Sequence, residues 1–290
     1  MDNNQISKIQ HDALREYIND SESRNVIDAV FCVRMSKDIA KKFDSGLYDN
    51  MVNEHKKCLN ELTSLHIKYP SSAKPIFYMY IVPDDRFVEL LEYPYKERKG
   101  GGRPVPSYDI DGFNAAYGTS QNLLIGNSEV SVLRHINLIH EYAHLIQHQF
   151  CFPDQMLGEG FAELIPWYVL EYEQRVPEHL AAVKLMDRIY TANELLGTVS
   201  FGDVVPNKTC AFQASYMSSY LFVRTVVEQI RFKFNLSRIE AVQKFLEILH
   251  FTKYRKQFFI VELAGIIGAD VDKLLNSNEY QIEMLKQIKE

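Results

Sequence analysis

Apolar residues recur at helical spacing along most of the second half of the chain, from Ser131 onward. This recurrence places them on one face of a helix and predicts that the second half is helical. The predicted helices span Leu133–Phe150, Glu159–Tyr172, His179–Leu196, Phe212–Phe232, Arg238–Leu249 and Glu262–Lys289. A further amphipathic helix is predicted at Asp49–His66. Pro166 is expected to kink or end the helix that contains it, and the two aromatic residues after it either line a cleft or pack in the core.

Short apolar and aromatic runs, bounded by proline or glycine, replace this pattern in the first half of the chain. Pro75–Val82 predicts a buried strand, and Phe87–Tyr93 is a second candidate. Gly112–Tyr117 and Asn122–Gly126 fit a hairpin or two strand edges. Strands gathered in one half and helices in the other predict an α+β fold, with a small mixed sheet in the N-terminal half and a helical C-terminal half.

The chain length allows either one large domain or two lobes. At 290 residues, 46% of them hydrophobic, the chain can bury a sizeable core. We expect a mixed α/β lobe at residues 1–150 and a helical lobe at residues 151–290, with the junction at Cys151–Asp154. A cleft between two lobes is a common place for a functional site.

The charge pattern excludes some partners. The formal net charge of −6 comes from interspersed acidic and basic residues, so nucleic acid is not an expected partner. The glycine-rich basic run Lys96–Arg103 is predicted to be a solvated loop. No apolar stretch is long enough for a signal peptide or a membrane span, so we expect no membrane partner and a cytoplasmic location. The four cysteines are widely separated, which favours buried thiols over disulfides or a thiolate zinc site.

The strongest chemical signal is His140-Glu141-x-x-His144, within an apolar helical segment. Four residues advance an α-helix by about 400°, so the two histidines project from nearly the same face. Two imidazoles at this spacing can bind one zinc ion at about 2.0 to 2.1 Å. Glu141 lies beside that face, where its carboxylate can act as the general base for a water molecule that attacks a carbonyl.

A catalytic zinc site requires a third protein ligand, and a second motif follows at Glu159-Gly160-x-Ala162-Glu163. The two motifs together resemble the gluzincins, the zinc peptidases that include thermolysin-like enzymes, bacterial collagenases and zinc aminopeptidases. The resemblance implies a zincin-like fold with the active-site helix between the two halves, and Glu159 as the third zinc ligand. It also implies that Gly160 keeps the backbone small where two helices cross, and that Glu163 accepts the outer N–H of a ligand histidine.

A third segment, beginning at Tyr216, resembles the gluzincin helix whose tyrosine donates a hydrogen bond to the oxyanion of the tetrahedral intermediate. The resemblance implies this role for Tyr216, although a tyrosine on an amphipathic helix can also be a core residue. The Gly-x-Met-x-Asn segment of zinc aminopeptidases is missing, since the nearest stretch begins at Gly112. Specificity for an amino terminus is therefore not expected.

Two further histidines compete for the same role as His140 and His144. His148 would extend the series by one more turn, but after eight residues the helix has drifted by about 80°. No glycine follows His144 to turn the chain back, so a metzincin-type third histidine is not expected there. His135 points elsewhere and is expected to pack.

Three functions remain open from the sequence. The first is a zinc endopeptidase that cleaves a peptide or protein substrate, with Glu141 and Tyr216 as its catalytic residues. The second is a zinc-stabilised binding or regulatory module without turnover, which would have no need of the Glu141 carboxylate. The third is a zinc hydrolase acting on a non-peptide amide or ester, because the water chemistry would be the same. The oligomeric state cannot be inferred from the pattern.

Overall fold

The structure is a computed structural model that describes several stretches of the chain. The backbone is described at residues 21–27, 31–36, 53, 57–58, 60–68, 70, 77–82, 116–118, 122–126, 135–148, 150, 154–171, 190–197, 209–252, 255–268 and 270–287. Side chains are described at residues 53, 57–58, 60–68, 70, 139–140, 142–144, 146–147, 150, 154–171, 190–197, 214–252, 255–268 and 270–287. The predicted strand Phe87–Tyr93, the loop Lys96–Arg103 and most of the predicted helix His179–Leu196 lie outside these residues.

Five backbone segments in the first half pair as strands: β1 (Ser21–Ile27), β2 (Phe31–Ser36), β3 (Phe77–Val82), β4 (Ala116–Gly118) and β5 (Asn122–Gly126). Their order in the sheet is β1-β2-β3-β5-β4. The pairs β1–β2 and β4–β5 are antiparallel, whereas β2–β3 and β3–β5 are parallel. The strands β1 and β2 were not predicted from the sequence.

The predicted zincin-like α+β class is wrong for the part of the chain whose side chains the structure describes. These residues are 83% helical and include no strand. An α+β fold requires a sheet whose side chains share a core with helices, but the strand segments are defined by backbone pairing alone. Most of the buried apolar side chains that are described lie on helices, and their positions recur at helical rather than alternating spacing.

The amphipathic helix predicted at Asp49–His66 is present where the chain is described there. Residues 60–64 are helical, and Cys58 and Leu62 are buried while Thr63 and Ser64 are exposed. The chain leaves this helix through His66, which has a positive φ of 52°.

The first well-bounded helix of the second half is α1 (His135–His148), which lies within the predicted Leu133–Phe150. Its buried side chains include Ile139, Tyr142, Ala143 and Ile146, spaced by three or four residues. Burial, and secondarily the nearby Cys58, raises the pKa of Tyr142, so this face of α1 is anchored in an apolar environment.

The next helix, α2 (Gln155–Leu164), continues into a π-helical turn at Ile165–Val169. Pro166 has no N–H to donate, and its ring would crowd the carbonyl of Ala162 in a regular α-helix. The wider turn, in which Leu170 N–H donates to Ile165 O at 3.0 Å, accommodates the proline. The expected disturbance at Pro166 is therefore confirmed.

The remaining helices are α3 (Ala192–Leu195), α4 (Thr209–Phe234), α5 (Arg238–Thr252), α6 (Lys256–Ile267), α7 (Val271–Asn276) and α8 (Asn278–Gln287). The helix α4 lies at the centre of this group and packs against α2, α5, α6 and α8. The single helix predicted at Glu262–Lys289 is wrong, because Gly268 ends α6 in a left-handed conformation and Ser277 separates α7 from α8.

The chain divides into two compact units. One contains residues 1–64 and 71–146, and the other contains residues 65–70 and 147–290. The predicted lobes 1–150 and 151–290 stay a prediction. No helix among the described residues is long and apolar enough to cross a bilayer, and the cellular compartment also stays a prediction.

Candidate metal centre

The two histidines of the first motif lie one turn apart on α1. Their ring centroids are 4.9 Å apart and the ring planes are nearly perpendicular, at 85°. His144 is buried and His140 is half-buried. The four-residue spacing thus brings two imidazoles together, as the sequence predicted.

The carboxylate of the second motif is positioned by the start of α2. Asp154 is fully buried at the N-cap, and its Oδ1 accepts the N–H of Leu157 at 2.9 Å. Its other oxygen accepts the N–H of Gly197, in the turn after α3. Asp154 therefore holds the first turn of α2, which carries Glu159, and ties it to a second segment.

Glu159 is half-buried on α2. Its Oε1 accepts a long hydrogen bond of 3.5 Å from Gln155 Nε2, one turn earlier on the same helix. Because Gln155 is uncharged, this contact orients the carboxylate without neutralising its charge. A carboxylate oxygen is a suitable ligand for zinc.

His140, His144 and Glu159 together form a group that can hold a metal ion. Each offers one ligand atom, and the three atoms lie within 4.8 Å of one another. Zinc binds nitrogen and carboxylate oxygen at about 2.0 to 2.2 Å, so two ligands of one ion lie at most about 4.4 Å apart. The observed limit of 4.8 Å is close to this span. Two imidazole nitrogens and one carboxylate oxygen are also a donor set that suits zinc.

Gly160 is the point where α2 crosses α4. A Cβ at this position would lie 2.4 Å from Ser219 O and 2.6 Å from Val223 Cγ2. Only glycine allows this approach of the two backbones, which confirms the predicted role of Gly160. Tyr216 precedes Ser219 by three residues on α4 and is half-buried. The crossing therefore brings the helix of Tyr216 against the helix of Glu159, whereas the catalytic role of Tyr216 stays a prediction.

Glu163 lies one turn after Glu159 and accepts a hydrogen bond from the indole N–H of Trp167. Its predicted contact with a ligand histidine is not tested and stays a prediction. The sequence did not indicate the bond to Trp167, although the four-residue spacing of a carboxylate and a donor is a signal for it.

A buried group of arginine and tyrosine side chains extends from this helix pair. Arg224 donates to the hydroxyl of Tyr220 at 3.0 Å, and its guanidinium lies 5.1 Å from the ring centroid of Tyr168. Burial raises the pKa of Tyr220, while the charge and hydrogen bond of Arg224 oppose this increase. The charge of Glu163 raises this pKa further. The carboxylate of Glu163 is thus close enough to this buried group to influence it.

Glu141 belongs to α1 by its backbone, but its side chain lies outside the described part of the structure. The same holds for His135 and His148. The role of Glu141 as general base and the exclusion of the other two histidines stay predictions.

No protein-family model matches this chain, and no curated protein matches it. The resemblance to gluzincins accordingly remains a prediction that rests on the motif residues.

Proposed function

We propose that this chain is a zinc-dependent peptidase in which His140, His144 and Glu159 bind the metal. The observation that carries the proposal is the approach of their three ligand atoms within 4.8 Å of one another. The His-Glu-x-x-His motif on α1 contributes the two histidines, and the second motif on α2 contributes the glutamate. Metal groups of this composition, with three protein ligands and an open position, are typical of hydrolytic zinc sites.

The side chains have distinct roles in the proposed reaction. A zinc ion held by the three ligands would supply a Lewis acid that acidifies water and polarises a carbonyl. Glu141 takes the proton of the attacking water and passes it to the leaving amine. Tyr216 donates a hydrogen bond to the substrate oxygen as negative charge develops there. Glu163 accepts the outer N–H of a ligand histidine and thereby fixes its tautomer.

The test compares the purified wild type with Glu141→Gln, Glu159→Gln and the exposed control Glu283→Gln. Zinc content is measured by elemental analysis, and cleavage of a degenerate peptide library is measured by mass spectrometry. We expect the wild type and Glu283→Gln to contain stoichiometric zinc and to cleave. Glu141→Gln is expected to keep zinc but to lose cleavage by about 10² to 10⁴-fold, because only the general base has been removed. Glu159→Gln is expected to lose zinc.

Other outcomes reject the proposal in distinguishable ways. If the purified wild type contains no zinc, the proposed metal site is rejected. Zinc without cleavage of any peptide, but with cleavage of ester or amide probes, indicates a different substrate class. Zinc with no hydrolysis at all indicates a binding module, and a Glu141→Gln variant as active as the wild type excludes Glu141 as the base.

A further inference from the structure

The outward face of α6 is largely apolar, although it also includes the exposed Gln257. The helix packs through Phe259, Leu263 and Ile266, which are buried, so the opposite face points to solvent. On that face Phe258 is 53% exposed and Val261 is 69% exposed. A surface helix ordinarily carries polar side chains at exposed positions, because the exposure of apolar side chains to water costs free energy.

The apolar face continues toward the end of the helix through Ala264 and Gly265, which are both exposed. Phe258, Val261, Ala264 and Gly265 are here called the α6 strip. A Cβ built at Gly265 would meet no neighbouring atom within 4 Å, so this end is open. The strip is the convex surface of a helix rather than a groove.

A cation lies at each end of the α6 strip. The exposed Arg255 precedes the helix, with its guanidinium 5.8 Å from the ring centroid of Phe258. At the other end the exposed Lys233 donates from Nζ to Gly265 O at 3.3 Å. The strip thus combines apolar side chains with flanking positive charge, in a chain whose formal net charge is −6.

Phe251, near the end of α5, is a further exposed apolar residue close to the strip in sequence. It is 76% exposed, and only a short turn, in which Arg255 N–H donates to Thr252 O at 3.2 Å, separates it from α6. The sequence across this turn adds Lys253 and Lys256 to Arg255. The exposed side chains of Phe251, Arg255 and Phe258 therefore occur in one short stretch of the sequence.

We infer that the α6 strip docks on an anionic lipid surface. A helix that lies in the plane of a membrane interface buries its apolar face among the acyl chains and places its lysine and arginine residues among the phosphates. The α6 strip provides the apolar face, and Arg255 and Lys233 provide a positive charge at each end of it. The expectation of no membrane partner depended on the lack of a spanning segment, which a contact of this kind does not require.

Two other occupants fit the strip less well. A second copy of the chain would pair strip against strip about a two-fold axis, and either helix orientation would place cation against cation at the ends. A peptide helix is ordinarily bound in a concave apolar groove, whereas the strip is convex. A fluid lipid surface adapts to a convex helix and supplies the negative charge that matches both ends.

The test is flotation of the full chain with vesicles of phosphatidylcholine alone or mixed with phosphatidylglycerol. We expect at least about tenfold stronger binding to the mixed vesicles, and a decrease at high salt, because the two flanking cations favour anionic lipid. F258Q/V261Q is expected to abolish binding, while the matched apolar variant F258L/V261L keeps it. K233E/R255E is expected to abolish binding as well, whereas K286E, at an exposed lysine of α8, keeps it.

Thermal unfolding and circular dichroism of each variant establish that it is folded, and these exposed substitutions are expected to leave both unchanged. No flotation of the wild type, or equal flotation of F258Q/V261Q, overturns the inference. A concentration-dependent dimer in sedimentation, lost in F258Q/V261Q, would assign the strip to a second copy instead. None of these results depends on zinc or on peptide cleavage.

Discussion

Gly160 and Gly265 lie inside helices in opposite environments. The position of a Cβ at Gly160 is occupied by the backbone of α4, with Ser219 O at 2.4 Å. A Cβ at Gly265 would have no neighbouring atom within 4 Å. Alanine has a higher helix propensity than glycine at both sites. A difference between the two glycine-to-alanine substitutions in the free energy of unfolding therefore reports the close contact of α2 with α4.

We expect Gly160→Ala to lower the free energy of unfolding by about 2 kcal/mol or more, because a backbone oxygen cannot move aside as a flexible side chain can. Gly265→Ala is the matched control and is expected to raise it by about 0.5 to 1 kcal/mol. Urea unfolding of the two variants measures both values. Equal effects of the two substitutions would contradict the close crossing at Gly160.

Residue spacing predicted part of the candidate site. The turn length of a helix is sufficient to bring His140 and His144 together, so that pair could be read directly from the sequence. Glu159 lies on another helix, and only the resemblance of the two motifs to those of gluzincins indicated that its carboxylate lies close to the two histidines. Asp154 was missed, although an aspartate before an apolar periodic run is a helix-start signal. Its second bond, to Gly197, joins segments far apart in the chain and has no local signal.

Helix ends were predicted less well than helix interiors. Periodicity identified α4 and α5 within a few residues, because it depends on many side chains at once. An end depends on one or two residues. The helix α2 starts four residues before the predicted Glu159 because Asp154 caps it, and Gly268 stops α6 inside a region whose apolar pattern continues.

The start of α5 depends on a carboxylate. Glu240 accepts the N–H of Ser237 at 2.8 Å, while the Ser237 hydroxyl accepts the N–H of Glu240 at 3.3 Å. The backbone hydrogen bond, and secondarily the hydroxyl, lower the pKa of Glu240 from its ordinary value of 4.5. A lowered pKa means that the folded state favours the charged form. The carboxylate therefore stabilises α5 above pH 4.5, and this contribution is lost as pH falls through the folded-state pKa.

We expect Glu240→Gln to weaken the dependence of the unfolding free energy on pH below 4.5, because the glutamine has no charge to lose. Ser237→Ala should retain most of that dependence, since the backbone N–H of residue 237 still donates. Urea unfolding at neutral and acidic pH measures the effect. A carboxyl pKa of 4.5 or higher for Glu240, measured by NMR, would contradict the explanation.

At the scale of the molecule, the part whose side chains are described departs from the predicted α+β class. The short apolar runs near prolines suggested a sheet that would share a core with helices, and five backbone segments do pair as strands. In the unit that contains residues 147–290, most described core side chains nevertheless lie on helices packed around α4, whose Phe222, Val226 and Ile230 are fully buried. The strands β1 and β2 pair with each other across a short connection. Their sequences, SESRNVI and FCVRMS, lack the regular alternation of apolar and polar residues that predicts a strand, so they had no clear signal.

Metal removal is expected to lower the stability of the whole chain if zinc binds only the folded state. Free zinc at about 100 times its dissociation constant would add about 2.7 kcal/mol. For a chain of this size, chelation is therefore expected to lower the melting temperature by roughly 5 to 10 °C. The effect is measured by calorimetry with and without chelator. His144→Ala should show no response to the chelator, whereas an unresponsive wild type would contradict metal binding.

The bond between Trp167 and Glu163 has a practical consequence, because Trp167 is the only tryptophan of the chain. Its indole is partly exposed and donates to a carboxylate one turn beyond Glu159. Tryptophan emission from the unlabelled protein, excited selectively over that of the 17 tyrosines, therefore originates beside the second motif. Titrations with metal or inhibitor can be followed there by fluorescence, without an attached dye.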